Sequence, residues 1–133
     1  MLSSKLLVRQ LVARPPVYVH VNDKLRDVAT TLVEESIGAA LVRGPHGAIG
    51  LVSERDVTRA LAEGADPDRM TAEEIMTEDL VTVAHDDDVL DAVHRMLDAE
   101  VRHLPVTADG VVIGIVSARD ALRTAADGAI APD

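Results

Sequence analysis

The chain has 133 residues, the length of one compact domain with its own buried core. Its net charge of −10 and its single aromatic residue argue against a nucleic-acid polymer as partner, because such binding uses basic surfaces and aromatic stacking. Cysteine is absent, which excludes disulfides, thiolate catalysis and cysteine-ligated metal sites.

The apolar residues occur in short runs, and none approaches the roughly 18 residues that a membrane span needs. The first ten residues include Lys5 and Arg9 and lack the long apolar stretch and cleavage site of a secretory signal. We therefore expect a cytoplasmic protein that does not bind a membrane.

The first half of the chain begins with a predicted lead-in helix over residues 4–12 and a β-branched strand at residues 17–19. Asn22 or Asp23 is then expected to cap a helix. Apolar residues in that helix recur at i, i+3, i+4, i+7 and i+8, a spacing that predicts one stripe facing a core. The stripe consists of Leu25, Val28, Ala29, Leu32 and Val33.

Two apolar strands follow, at residues 39–42 and 48–52, and the glycine-containing turn between them predicts a hairpin. A helix over residues 53–63 closes this unit. Residues 64–67 then break the chain, and residues 68–76 predict a second short lead-in helix.

The second half repeats the first at an offset of 64 residues, as from Ser53 to Ser117. The repeat predicts a strand at residues 81–83, strands at 103–106 and 111–116, and a helix at 117–126. The second capped helix is expected to start at Asp86 or Asp87, with its stripe at Val89, Ala92, Val93, Met96 and Leu97.

A period of this length indicates two copies of one strand-helix-strand-strand-helix unit. We expect residues 1–133 to form one α+β module, with the copies related by a pseudo-two-fold axis and packed through their sheets. Residues 127–133 show no periodicity, so we expect a frayed tail there.

A Ser-x-Arg-Asp segment stands at each closing strand–helix junction, at residues 53–56 and 117–120. The structural interpretation is a capping box, in which the serine and the aspartate satisfy free backbone amides at the helix start. The same geometry suits a ribose phosphate, since a helix N-terminus and an arginine favour phosphate and a carboxylate accepts hydrogen bonds from a diol. The duplication favours the ligand-binding interpretation.

The duplicated unit resembles a tandem pair of cystathionine β-synthase (CBS) domains, known as a Bateman module. Both units end in the pattern Gly-hydrophobic-Val-Ser-x-x-Asp, and residues 37–42, 74–77 and 101–106 are also typical of the family. By this resemblance, residues 5–65 form the first repeat and residues 68–126 the second.

The resemblance implies binding of adenosine compounds, commonly AMP, ADP or ATP and less often S-adenosylmethionine or NAD, in two clefts between the repeats. Asp120 and Asp56 would each hold the ribose hydroxyls of one cleft. The other residues implied for the Asp120 cleft are Ser117, Arg119, Arg102, His103, Ala13, Val17, Tyr18, Gly38 and Ala39. Those implied for the Asp56 cleft are Ser53, Arg55, Thr77, Val81 and Thr82.

The two clefts are expected to be unequal. The basic residues Arg102 and His103 have the uncharged counterparts Gly38 and Ala39 in the first repeat. We therefore expect the Asp120 cleft to be the better site and the other to be weak or empty.

The function implied is that of a regulatory sensor, with no required cofactor and no chemistry on the ligand. The family resemblance also implies a homodimer packed through the closing helices, and the regulated target is expected to be a separate protein. The residues expected in that interface are Val57, Ala60, Leu61, Ala121, Leu122 and Ala125. The alternative is a protein–protein interaction or oligomerisation module with vestigial pockets.

Catalysis and metal binding find less support in the sequence. Ser53 and Ser117 have no evident histidine partner, so hydrolysis of a bound nucleotide is not expected. None of the five histidines pairs with another at the spacing of a helical two-histidine site. His94, with Asp91 and Asp98 on the same predicted helix, would form at most an incidental surface site.

Overall fold

The computed structural model describes residues 2–3, 6–127 and 131–132. In chain order its elements are β1 (Leu2–Ser3), a 3₁₀ turn (Val8–Leu11), β2 (Tyr18–His20), α1 (Leu25–Glu34), β3 (Ala39–Gly44), β4 (Gly47–Ser53), α2 (Glu54–Ala62), α3 (Ala72–Ile75), β5 (Val83–Ala84), α4 (Val89–Ala99), β6 (His103–Ala108), β7 (Val111–Ser117), α5 (Ala118–Ala126) and β8 (Ala131–Pro132).

The chain divides into two compact units. One is Val17–Leu80, here called the central unit, and the other combines Met1–Pro16 with Val81–Asp133 and is called the split unit. The predicted α+β class with two tandem repeats is confirmed. The structure groups the lead-in segments differently from the predicted repeat bounds, since each lies in the unit of the other repeat.

The central unit is a three-stranded sheet carrying two helices. β2 pairs in parallel with β3, and β3 pairs with β4 as an antiparallel hairpin, giving the order β2-β3-β4. Apolar side chains from the helices and the sheet form its core: Val19, Val21, Leu25, Val28, Leu32, Ala40, Val42, Val52, Val57, Ala60 and Ala72.

The split unit repeats this arrangement with the order β5-β6-β7. The registers correspond across the repeat, because Ala39 lies opposite Ser53 and His103 lies opposite Ser117. Its core consists of Val8, Val83, Ala92, Met96, Leu104, Val106 and Val116. β1 and β8 pair antiparallel, so residues 131–132 of the expected frayed tail form a strand, while residues 128–130 and 133 lie outside the described residues.

The predicted caps of the two long helices are wrong. α1 starts after Lys24, which makes no side-chain cap, and α4 starts after Asp88, whose carboxylate accepts the amide of Leu90 at 2.8 Å. Asp23 and Asp87 instead accept backbone amides from the ends of β2 and β5, and so close the turns that follow these strands.

The last position of each predicted stripe is also wrong. Val33 and Leu97 are 77% and 69% exposed, although the first, fourth and eighth positions are buried in both helices. At 100° per residue, position i+8 lies about 80° from position i, whereas i+7 lies only about 20° away. The last residue of each stripe, Val33 or Leu97, therefore faces away from the core.

The starts of α1 and α4 are satisfied by the lead-in segments. The carbonyl of Met70 accepts the amide of Leu25 at 2.8 Å, and the carbonyl of Leu6 accepts the amide of Val89 at 3.0 Å. Free amides at a helix start need such acceptors, which explains why Lys24 can stand at a cap position. The predicted lead-in helices are shorter than expected, being α3 and the 3₁₀ turn, and residues 4–5 lie outside the described residues.

Glycines let each lead-in segment lie against its sheet. A Cβ atom at Gly50 would be 2.5 Å from Sδ of Met76 and 3.0 Å from the carbonyl oxygen of Thr77. At Gly114 it would be 2.5 Å from Cγ1 of Val12. Both glycines are therefore required by close packing.

Replacing Gly114 with alanine is expected to lower the free energy of unfolding by about 1–3 kcal/mol, since the stiff Val12 side chain must move to admit the methyl group. Urea denaturation followed by circular dichroism measures the change. The exposed strand variant Val111→Thr is the control, with an expected change within about 0.5 kcal/mol. Equal midpoints for Gly114→Ala and wild type would contradict the packing.

Candidate functional site

Each closing helix starts with a capping box, as predicted. In the central unit the amide of Ser53 donates to Oδ2 of Asp56 at 2.8 Å, and the amide of Asp56 donates to Oγ of Ser53 at 3.2 Å. In the split unit the matching bonds between Ser117 and Asp120 are 2.8 and 3.1 Å long. The two serine–aspartate pairs thus have the same geometry.

The two aspartates differ in what else they bind. Oδ2 of Asp56 also accepts the hydroxyl of Ser53 at 3.0 Å, and its Oδ1 lies 3.9 Å from Nη1 of Arg59. For Asp120, the described residues supply the capping bond to Oδ2 but no hydrogen bond or ion pair to Oδ1. Asp120 therefore keeps an acceptor that a ligand hydroxyl could use.

In each unit, the residue before the middle strand and the first residue of that strand lie directly beside the start of the closing helix. In the split unit the carbonyl of Arg102 accepts the amide of Ala118 at 2.8 Å, and His103 lies opposite Ser117. Arg102 is exposed and His103 is half-buried. This brings four of the predicted ligand-binding residues together: Arg102, His103, Ser117 and Asp120.

Gly38 and Ala39 occupy the corresponding place in the central unit. The carbonyl of Gly38 accepts the amide of Glu54 at 2.9 Å, and Ala39 lies opposite Ser53. They were predicted for the cleft of Asp120, and that assignment stays a prediction. Gly38 carries no charge beside the start of α2, whereas its counterpart Arg102 places a positive charge beside the start of α5.

The lead-in segments bring one further predicted residue to each start. Thr77 exchanges two backbone hydrogen bonds with Leu51, two residues before Ser53. Ala13 is exposed and stands between Val12 and Arg14, the residues nearest Gly114. Each thus lies in the same unit as the aspartate for which it was predicted.

The remaining predicted residues are distributed over both units. Val17 accepts the amide of Leu41 through its carbonyl, and the ring centroid of Tyr18 lies 3.8 Å from the guanidinium carbon of Arg43, all within the central unit. Arg55 and Arg119 are exposed in the first turns of α2 and α5. Val81 and Thr82 precede β5 in the split unit rather than lying in a strand. Their places in a ligand site stay predictions.

Two arginines that contact predicted site residues, Arg95 at Thr82 and Arg59 at Asp56, were not predicted from the sequence. Nη1 of Arg95 donates to the carbonyl of Thr82 at 2.5 Å, and Nη2 lies 3.8 Å from Asp87. The counterpart of Arg95 in the first repeat is Thr31, so comparing the repeats gave no signal. Arg59, by contrast, follows Asp56 at i+3, a spacing from which their ion pair could have been predicted.

Within residues 2–3, 6–127 and 131–132, no three histidine or acidic side chains are grouped so as to hold a metal ion. In the same part of the chain, no helix has the length and apolar character to cross a bilayer.

The CBS domain family model matches the chain twice, at residues 8–63 and 72–127. The chain belongs to the CBS domain family. Both matches include a Ser-x-Arg-Asp segment, so the duplicated capping boxes lie within the two CBS domains.

Curated relatives of this CBS protein are longer than the chain. An uncharacterized protein of Methanopyrus kandleri, MK0525, is 36% identical over 100 residues, which are 73% of this chain and 51% of the relative. The L-aspartate semialdehyde sulfurtransferase of Methanocaldococcus jannaschii is 32% identical over 120 residues, which are 88% of this chain and 23% of that enzyme. The chain thus spans about half of one relative and about a quarter of the other.

Two similar solved structures of CBS proteins contain adenosine compounds. The CBS domain protein PAE2072 from Pyrobaculum aerophilum, complexed with AMP, has a TM-score of 0.79 and 32% identity, covering 86% of this chain and 89% of that one. The CBS domain pair of protein MJ0100, in complex with 5′-methylthioadenosine and S-adenosyl-L-methionine, has a TM-score of 0.83 and 28% identity, covering 92% and 98%.

Removing the cap of α5 tests the local geometry. Ser117→Ala is expected to lower the free energy of unfolding by about 1 kcal/mol, since the amide of Asp120 loses its acceptor. Asp120→Ala should cost a similar amount, and the double variant less than the two together, because both belong to one capping box. Urea denaturation measures all three, with exposed Arg119→Ala as the control. Strictly additive effects would show that the two side chains act independently.

Proposed function

We propose that this CBS pair is a regulatory module that binds adenosine nucleotides of the AMP, ADP and ATP class and does no chemistry on them. Support comes from the family and from the two similar structures named with AMP, 5′-methylthioadenosine or S-adenosylmethionine bound. The start of α5, in the split unit, is the principal position proposed for the ligand.

The observation that carries this proposal is the hydrogen bonding of the two carboxylate oxygens of Asp120. Its Oδ2 is held by the capping bond from the amide of Ser117, which fixes the carboxylate at the helix start. Its Oδ1 has no hydrogen bond or ion pair from any described residue. A fixed carboxylate with one available oxygen suits the vicinal hydroxyls of a ribose.

The surroundings of this carboxylate favour a phosphate. The amide of Arg119 stands at the second position of α5 and has no acceptor within the helix, so it can donate to an anion. Arg102 and Arg119 are exposed, and neither forms an ion pair with a described residue. Both guanidinium groups are thus available for charge-assisted hydrogen bonds.

The absence of ligand chemistry is part of this proposal. The hydroxyl of Ser117 accepts the amide of Asp120, so its role is explained by capping rather than by nucleophilic attack. The sulfurtransferase relative resembles this chain over only 23% of its length, which leaves most of that enzyme unmatched. The proposed module therefore binds its ligand and returns it unchanged.

Regulation would operate through linkage. A ligand that binds one conformation more tightly than another shifts their populations by its difference in affinity. A homodimer, a separate protein target and a cytoplasmic location, where adenine nucleotides are abundant, complete the proposal.

A second candidate, an interaction module, is favoured by exposed leucines on the closing helices. Leu61 and Leu122 are 49% and 70% exposed, whereas Val57 and Ala121 on the same helices are buried. Exposed apolar side chains can serve a protein interface. This candidate predicts association of protein chains without a nucleotide, and no binding of any compound in the titration below.

Calorimetric titration with AMP, ADP, ATP, S-adenosylmethionine and NADH tests nucleotide binding directly. Asp120→Ala is expected to weaken AMP binding at least about tenfold, since hydrogen bonds to a charged group are worth roughly 1.5–3 kcal/mol. Its unfolding free energy should fall by only about 1 kcal/mol. Asp56→Ala is the matched control, because it removes the same capping bond in the central unit.

The two variants give distinct outcomes. Loss of AMP binding in Asp120→Ala alone, with both variants folded, supports a nucleotide sensor whose principal site includes Asp120. Equal weakening in both variants would contradict that assignment. If wild type binds none of the five compounds, the proposed sensing function is wrong and association through the exposed leucines becomes the better explanation.

A further inference from the structure

We infer that the two closing-helix starts select adenosine ligands by charge. The start of α5 takes a phosphorylated nucleoside, and the start of α2 takes an adenosine compound that lacks a phosphate, whether an uncharged thioether or a sulfonium cation. The inference rests on the proposed function, because it assigns ligand classes to the sites proposed there.

The first difference stands at the first residue of each helix. Glu54 begins α2 and Ala118 begins α5, although both donate their amide to the equivalent carbonyl. Glu54 is exposed and forms no ion pair with a described residue. Its negative charge therefore lies in the turn where a phosphate would meet free amides, and it disfavours a second anion there.

The second difference stands on the strand beside each helix start. Arg102 supplies the carbonyl that pairs with α5, whereas Gly38 supplies the one that pairs with α2. The α5 start thus has two arginines, Arg102 and Arg119, for one aspartate. The α2 start has Arg55, together with Arg59 at 3.9 Å from the capping aspartate, for the two acidic residues Glu54 and Asp56, so its charges only balance.

The net charges of the two whole units support the same assignment of ligands. Residues 17–80 contain thirteen acidic and six basic residues, whereas the other residues contain ten acidic and seven basic ones. The central unit is therefore the more negative of the two, and it raises the cost of bringing a phosphate to α2. A neutral or cationic adenosine compound avoids this repulsion.

The two aspartates also differ as ribose acceptors. Asp56 already accepts the hydroxyl of Ser53 and lies 3.9 Å from Arg59, and its side chain is only 14% exposed. A ligand at α2 would have to share this carboxylate with Arg59. Its affinity there depends on the ribose and base alone, without a phosphate contact.

Titrations of AMP and 5′-methylthioadenosine test the charge selection. Wild type is expected to bind one AMP per chain, and Asp120→Ala should lose AMP while still binding one 5′-methylthioadenosine. Glu54→Ala should gain a second AMP, with at least about a tenfold rise in affinity at the α2 start in low salt, and the gain should shrink in high salt.

Glu63→Ala is the matched control, since Glu63 is an exposed glutamate at the other end of α2. It removes one negative charge from the central unit without changing the α2 start, and AMP binding should stay at one per chain. Circular dichroism of each variant verifies that it is folded.

The outcomes separate the two proposals. If Glu54→Ala and Glu63→Ala both leave AMP binding as in wild type, charge selection at α2 is wrong, while nucleotide binding itself stands. If 5′-methylthioadenosine is lost together with AMP in Asp120→Ala, the α2 start binds neither class and the inference is also wrong. If wild type binds neither compound, the proposed function fails first.

Discussion

The first-turn amides of a helix need acceptors, and this chain satisfies them in two different ways. α1 and α4 receive backbone carbonyls from the lead-in segments, at Met70 and Leu6. α2 and α5 provide their own acceptors through the side chains of Ser53 and Ser117. The two ways are combined, because Asp88 also caps α4 and the carbonyls of Gly38 and Arg102 accept the first amides of α2 and α5.

A capping box at a proposed binding position would link stability to ligand recognition. The same carboxylate of Asp120 orients the helix start through one oxygen and leaves the other available. Because the capping bond fixes the carboxylate without a ligand, little side-chain entropy would be lost in the binding proposed for Asp120. The central unit shows the contrasting case, in which Asp56 has additional contacts within its own helix. Equal motifs therefore need not give equal sites.

Much of the fold could be predicted because the sequence contains two copies of the same pattern. Strands, hairpins, closing helices and capping boxes depend on local residue patterns, and each pattern occurs in both halves. The cap of α1 could not be predicted, since the acceptor of its first amide is the distant backbone carbonyl of Met70, which has no side-chain signature. The cap of α4 is Asp88, the last of three consecutive aspartates, and the run alone does not show which of them caps the helix. The exposure of Val33 and Leu97 follows from helix geometry and could have been recognised from the spacing alone.

Prediction of the candidate site was less complete for a physical reason. The Ser-x-Arg-Asp segments identify the helix starts, and the structure brings Arg102 and His103 to one of them. The role of Arg95 depends on contact with a backbone carbonyl, which leaves no pattern in the sequence. Glu54 was visible within its motif, but its significance emerges only when the electrostatics of the two helix starts are compared.

The order of the chain has a consequence for biosynthesis. The central unit is a continuous segment, so all its strands and helices have emerged once residue 80 leaves the ribosome. The split unit cannot close at that stage, because fully buried Val8 packs with Val106 and Val116, which are synthesised much later. A nascent chain must therefore carry the apolar segment of residues 6–12 without its core partners after the whole central unit has been synthesised. Such an interval is when a translating chain most needs protection from aggregation.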